Sequence, residues 1–294
     1  MKLEKITNKN KNKKILVTGG AGFIGTHLVN ELLKQKHEVL VFDNFSTSDI
    51  AKMSNKINFV EGDITKKYDI NQLPKDFDAI YHLAGLLDIK ASLDEPSFYT
   101  TTNVMGTSNM LEFCRTNNIK KFIYASSCAS DKPLSSPYAL TKYLPEYYCN
   151  MYNNLYGIDT LNVRFYNVYG ENMNTTGYRP VLSIFLEKYS LNELLPIVGD
   201  GEQTRDFIYV GDIVSGLVKA LKPNDTNIRT INLGNNSSIS INDIVSMLGS
   251  PSTVNVPKRD ETKYAIPANI SLAKKLLEWE PKMKLETWIK EQIK

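Results

Sequence analysis

Tyr138 and Lys142 stand four residues apart in the run Tyr138-Ala139-Leu140-Thr141-Lys142, a spacing that places both side chains on one face of a helix. Free tyrosine ionises near pH ~10, and an ammonium fixed beside it favours the phenolate, so the pair can serve as a base near neutrality. Alone, Y-x-x-x-K also describes any half-exposed helical pair. Ser126 and Ser127 change that reading, because they close the preceding apolar run and can bring a hydroxyl to the same point.

A second constellation is Thr18-Gly19-Gly20-Ala21-Gly22-Phe23-Ile24-Gly25, with glycines spaced G-x-x-G-x-x-G. A side chain at Gly19 or Gly22 would block a tight turn or the approach of a pyrophosphate. Gly25 lets the next helix pack close, and the free N–H groups at that helix start hold phosphates. Asp43 ends the following apolar run, 18 residues after Gly25, where a carboxylate accepts hydrogen bonds from adenosine ribose hydroxyls. It repels a 2′-phosphate, and no arginine lies near in sequence to attract one. The reading is NAD rather than NADP.

The elements that must position these groups alternate. Lys14 to Thr18, Glu38 to Phe42, Ile57 to Val60, Ala79 to Leu83, Lys121 to Ala125 and Leu161 to Phe165 read as short buried strands. Between them lie helical patterns over Phe23 to Leu33, Ser97 to Thr116 and Pro137 to Tyr156. Continuous apolar strands between helices predict an α/β doubly wound parallel sheet, a Rossmann fold over 14–169. From Gly170 the rhythm changes: Tyr178 to Leu195, Asp212 to Leu221, Asn242 to Leu248 and Ser271 to Leu277 read as helices, and Gly199 to Gln203 as a turn. No linker separates the halves. A smaller C-terminal substrate lobe over 170–205 and 236–294 is therefore expected to be interleaved with the first domain, with 206–235 returning to it.

With 294 residues, 42% hydrophobic, and a net charge of +3, the chain can bury a sizeable core and favours neither nucleic acid nor membrane. The lysines of residues 1–13 read as a solvated, frayed tail. No apolar run approaches the ~20 residues of a membrane span, and no signal peptide is expected. Cys114, Cys128 and Cys149 are odd in number and widely spaced, and His27, His37 and His82 have no ligand-like neighbours. No disulfide framework and no metal are expected, and the compartment is read as a reducing cytoplasm.

Together, the glycine turn, Asp43-Asn44, Gly62-Asp63-Ile64, His82 to Gly85, Asn103 to Thr107, Ser126-Ser127 and Tyr138 to Lys142 resemble an extended short-chain dehydrogenase/reductase. More narrowly, they resemble the NAD-dependent epimerase/dehydratase family, closest in pattern to its UDP-sugar 4-epimerases. The likeness runs on through Arg164 to Gly170, Gly199 to Val210, Asn232 to Gly234 and Ala273 to Pro281. The resemblance implies that Gly19, Gly22, Phe23, Ile24 and Gly25 form the pyrophosphate turn, Asp43 and Asn44 hold the adenosine ribose, and Asp63 and Ile64 flank the adenine. It implies that Leu83, Ala84, Gly85 and Asn103 line the cofactor cleft. Tyr138 becomes the base and acid, Lys142 the ammonium on the nicotinamide ribose, and Ser127 the partner of the reacting hydroxyl. Asn167, Arg205 and Arg259 match positions holding the nucleoside diphosphate, and paired arginines suit a pyrophosphate.

Dehydratases of this family place an Asp-Glu pair directly after the hydroxyl residue, and its decarboxylases place a Glu close by. Here Cys128-Ala129-Ser130 follows Ser127, which disfavours dehydration. The resemblance then implies reversible 4-epimerisation of a UDP-sugar through a 4-keto intermediate, with NAD as a recycled cofactor. A dehydratase, decarboxylase or reductase, or a non-catalytic dinucleotide sensor, are the alternatives. Cys128 reads as a small buried thiol rather than a nucleophile. The connection from Cys128 to Pro137 is shorter than in relatives, so the sugar is left open. The resemblance also implies a homodimer joined through the Ser97-to-Thr116 and Pro137-to-Tyr156 helices.

Overall fold

In the computed structural model, residues 12–48, 57–173, 179–224, 226–257 and 265–294 are described. The six short apolar runs, joined by Thr230–Leu233, form a seven-stranded sheet in the order β11-β6-β5-β4-β1-β2-β3. Its strands are β1 (Lys14–Thr18), β2 (Glu38–Asp43), β3 (Asn58–Glu61), β4 (Ala79–His82), β5 (Lys121–Ser127), β6 (Asp159–Phe165) and β11 (Thr230–Leu233). Every pairing in it is parallel. Strands buried on both faces need apolar residues at successive positions, and β1 shows how they divide. Ile15 and Val17 enter a core with Leu28, Leu32, Ile213 and Leu217, whereas Leu16 enters the opposite core with Ile80, Phe122, Met110 and Cys114. The first core is capped by α1 (Phe23–Lys34) and α8 (Val210–Ala220), which pack on each other. The second is capped by α5 (Gly106–Thr116) and α6 (Pro137–Tyr156).

The strand order reverses at β1 and β4, which opens a crevice at their C-terminal ends. Helix α6 has the bounds its sequence predicts. Ser136 accepts from the Ala139 N–H at 3.1 Å, Pro137 fills the first turn, and Gly157 closes the helix at φ 66°.

The helix expected over Ser97 to Thr116 is broken. It consists of α4 (Pro96–Tyr99), a π-helical segment from Thr100 to Met105, and α5. A wide turn shifts side chains by one position, and here it carries Asn103 inward. The helix expected over Tyr178 to Leu195 is shorter: α7 spans Val181–Ser190, with Pro180 as its N-cap. Leu195–Val198 is instead strand β8, paired in parallel with β13 (Thr253–Val256).

Two further small pairs complete this part, β7 (Asn167–Tyr169) with β10 (Phe207–Tyr209) and β9 (Thr204–Arg205) with β12 (Ile239–Ser240). A third core lies here, where Tyr169, Phe185, Leu195, Phe207 and Ile244 meet Trp288 of α11 (Leu285–Gln292). Residues 1–11 of the basic tail lie outside the described residues.

Candidate active site

The crevice is a cavity of about 1010 Å³, above the ~300–1,000 Å³ usual for one small ligand. The glycine turn lies along it. Gly19 has φ +68°, and a Cβ there would sit 2.5 Å from the Ala84 nitrogen. At Gly25 a Cβ would come within 2.3 Å of the Gly19 carbonyl oxygen. Only hydrogen fits at both positions. Gly22 has an ordinary φ of −72° and offers α1 no side-chain cap, so the first-turn N–H groups of α1 are left for a ligand. Phe23 and Ile24 also line the cavity.

Asp43 borders the same cavity, and both its oxygens are engaged. Oδ2 accepts from the Ala21 N–H at 3.0 Å, and Oδ1 accepts from the Phe45 N–H at 2.9 Å and the Ser48 hydroxyl at 3.2 Å. The residue thus ties the glycine turn to β2, and a carboxylate keeps lone pairs for further donors. Asn44 Nδ2 donates to Asp63 Oδ2 at 3.4 Å. Burial pushes the Asp63 carboxyl up, but the Thr65 N–H and hydroxyl, with Asn44, outweigh it and leave the group below its ordinary range. Ile64, Leu83, Ala84 and Gly85 complete this wall.

Tyr138 is the second residue of α6, where its N–H donates at 3.2 Å to Ser92 Oγ on α3 (Ile89–Asp94). One turn later, Lys142 Nζ donates to Ala125 O at 2.9 Å and lies 5.3 Å from the Tyr124 ring centre. Burial pushes its ammonium down to about 8, opposed by the charge of Glu146. Gly85 is what admits it, since a Cβ there would meet Asn103 Oδ1 at 2.9 Å and Lys142 Nζ at 3.4 Å. Ser127 ends β5 with its Oγ accepting from the Ala129 N–H at 3.2 Å. Ser127, Tyr138 and Lys142 all border the cavity, as do Asn167 and Arg205. Asn167 starts β7 and donates its N–H and Nδ2 to Asp206 O at 3.0 and 3.1 Å. Arg205 ends β9, with one guanidinium nitrogen on Thr204 O at 2.7 Å.

One expected residue is not on the wall. Asn103 is buried behind it, accepting from the Leu86 N–H at 2.8 Å and donating to Leu86 O at 3.0 Å and Thr141 Oγ1 at 3.1 Å. The π-helical segment aims it at the backbone of the wall, which it fastens to α6. Arg259 lies outside the described residues. Cys128 is half-buried and borders the cavity, and burial, then Asp131, pushes its thiol up to about 11.

Other residues of the site escape a reading of the sequence. Leu87, Ile89 and Phe98 face the cavity as exposed apolar side chains. Glu146, one turn after Lys142, is buried with Ser126 and Arg164 around it; its spacing from Lys142 was the available signal. Asp131 borders the cavity close behind Ser127, and Arg164 engages it. Among the described residues, no group of three His, Cys, Asp or Glu is placed to hold a metal ion.

Residues 15–234 match the sequence model of the NAD dependent epimerase/dehydratase family. The chain belongs to this family. A UDP-glucose 4-epimerase of Mycolicibacterium smegmatis is 37% identical over 71% of this chain and 73% of its own length. A UDP-glucuronate 4-epimerase of Thermodesulfobacterium geofontis is 36% identical over 95% of this chain and 94% of its own. Among solved structures, the UDP-glucose 4-epimerase of Thermotoga maritima, with UDP-glucose, superposes with a TM-score of 0.89 at 30% identity, covering 95% and 97% of the two chains. The family's NAD fits the residues present: the cradle at Gly19 would be closed by a single Cβ, and the uncapped start of α1 opens beside it.

Proposed function

We propose that this member of the family interconverts a UDP-sugar and its C4 epimer. The observation that carries the reading is one cavity bordered by the glycine turn, by Ser127, Tyr138 and Lys142, and by Asn167 and Arg205. Relatives that act on UDP-sugars support the choice of substrate class.

When bound, NAD supplies hydride transfer to and from the sugar carbon. The chain's own residues handle protons and position. Tyr138 takes the C4 hydroxyl proton at its phenolic oxygen and returns it, Ser127 Oγ hydrogen-bonds that hydroxyl, and the Lys142 ammonium favours the phenolate. Asp43 and Asn44 hold the adenosine ribose, and Asp63 and Ile64 border the adenine. Asn167 and Arg205 grip the nucleoside diphosphate, with Arg259 as a further donor. Segments 170–205 and 236–294 act as the substrate lobe, and the working unit is a homodimer. The pairing of Asp131 with Arg164 supports epimerisation over dehydration, because the one carboxylate close behind Ser127 is already engaged.

The test is a panel of UDP-glucose, UDP-N-acetylglucosamine, UDP-glucuronate and their C4 epimers, read by NMR on protein purified with its NAD. One pair is expected to equilibrate, and Tyr138→Phe is expected to lower kcat by about 10²–10⁴ with NAD retained. No turnover on the panel removes the epimerase reading, and release of CO₂ from UDP-glucuronate replaces it with decarboxylation.

A further inference from the structure

Beneath the site lies a buried polar cluster that the reaction does not use directly. Glu146 is 3% exposed and sits on α6 one turn beyond Lys142. Its Oε1 accepts from the Ser126 hydroxyl at 2.5 Å and from Arg164 Nε at 2.8 Å, and its Oε2 accepts from the Arg164 terminal nitrogen at 2.7 Å. Arg164, on β6, reaches past it to Asp131 in the 3₁₀ turn from Cys128 to Asp131. Ser126 also contacts Ser130 Oγ in that turn at 3.1 Å.

A carboxylate buried at this depth is costly unless its lone pairs are filled, and here the two-nitrogen grip of Arg164 and the serine fill them. The cluster joins three pieces: the end of β5 that presents Ser127, the short connection to Tyr138, and the face of α6 that presents Lys142. Within the connection Ser130 is buried, whereas Leu134 at its tip is 91% exposed.

We propose that Glu146 is the positioning residue of this site: it fixes the end of β5 at Ser126 and the Cys128–Asp131 turn through Arg164, and sets a buried negative charge one helical turn from Lys142. The inference rests on the proposed roles of Ser127, Tyr138 and Lys142. Titratable and charged groups surround Lys142 on every packed element: His82 on β4, Tyr124 on β5, Tyr138 and Glu146 on α6, with Arg164 on β6 and Asp131 beyond Glu146. His82 is pushed down to about 3 by burial and then by Lys142, so it adds no charge at neutral pH. Glu146 is the group that opposes the effect of burial on Lys142.

The test reads Lys142 directly in NAD-bound protein labelled with ε-¹³C-lysine, with the signal identified by its loss in Lys142→Arg. In Glu146→Gln the Lys142 titration midpoint is expected to fall by about one pH unit, and in Glu146→Asp to stay near that of the wild type. A residue that only supports the fold would lower the melting temperature in both variants and leave the midpoint in place, which overturns the proposal. Should Glu146→Gln not fold, wild-type protein labelled at glutamate Cδ decides. The Glu146 carboxyl signal must move with the Lys142 midpoint, and a flat response sinks the idea.

On whichever UDP-sugar the wild type turns over, Glu146→Gln is expected to lower kcat by about tenfold with KM within about twofold. A change confined to KM counts against positioning. The NMR titration needs no turnover, so an inactive wild type would remove the epimerase reading while leaving the Glu146 result standing.

Discussion

Lys142 is 7% exposed, and its ammonium donates to Ala125 O and has its pKa pushed from 10.5 to about 8 by burial against the pull of Glu146. Below pH 8 both folded and unfolded chains carry the proton, so the folded state bears the whole penalty of the buried charge. Between about 8 and 10.5 the unfolded chain holds a proton that the folded one has lost, and stability from this group rises with pH across that window. Lys142→Met is therefore expected to stabilise the fold at pH 7 by about 2 kcal/mol, after about 1 kcal/mol is subtracted for the lost hydrogen bond to Ala125. The gain should shrink as pH approaches 10. Urea unfolding at the two pH values measures it, and a variant less stable than wild type at pH 7 contradicts the sign. On the proposed role of Lys142, the same variant is expected to lose activity.

At the level of elements, α6 carries the proposed chemistry at its first turn and a conformational constraint at its end. Gly157 holds φ +66°, and a Cβ added there would meet nothing within 4 Å, so Gly157→Ala brings backbone strain and no clash. The expected loss is about 1 kcal/mol, or about 2–4 °C in Tm by calorimetry, with kcat unchanged, because some five helical turns separate it from Tyr138. A fall in kcat would mean that the helix end is coupled to the site. The bounds of α6 were legible because Ser136, Pro137 and Gly157 each act on the local backbone. The π-helical break before α5 was not, since one extra residue per turn barely alters an apolar period, and no glycine or proline within Thr100 to Met105 marks it. Strands β8, β9, β12 and β13 are two to four residues long, too short to show alternation, and their pairings join segments distant in sequence. The glycine turn, Ser127, Tyr138 and Lys142 stand in local motifs, whereas the cavity-lining Leu87, Ile89 and Phe98 and the buried Glu146 come together only through contacts between elements.

For the whole molecule, the exposed face of α6 bears on the proposed homodimer. Leu140, Leu144, Tyr147, Met151 and Leu155 follow each other at helical spacing and are all exposed, while Cys149 and Tyr152 on the other face fill the core. Met105, on the π-helical segment leading into α5, is exposed as well. A contiguous apolar stripe of this length on a solvent-facing surface is where the proposed homodimer would pair. Its position on α6 suits an isologous pairing in which the same face meets itself across a two-fold axis. Sedimentation equilibrium at micromolar concentration is expected to give twice the chain mass. Met151→Glu with Leu155→Glu places four like charges in such a contact, two from each copy, and is expected to yield monomers that still bind NAD, since neither residue borders the cavity. A wild-type protein that sediments as a monomer refutes the pairing, and a charged variant that stays dimeric moves the interface off this face. Because Tyr138 and Lys142 project from the same helix, a dimer held here would also brace the element that carries the proposed chemistry.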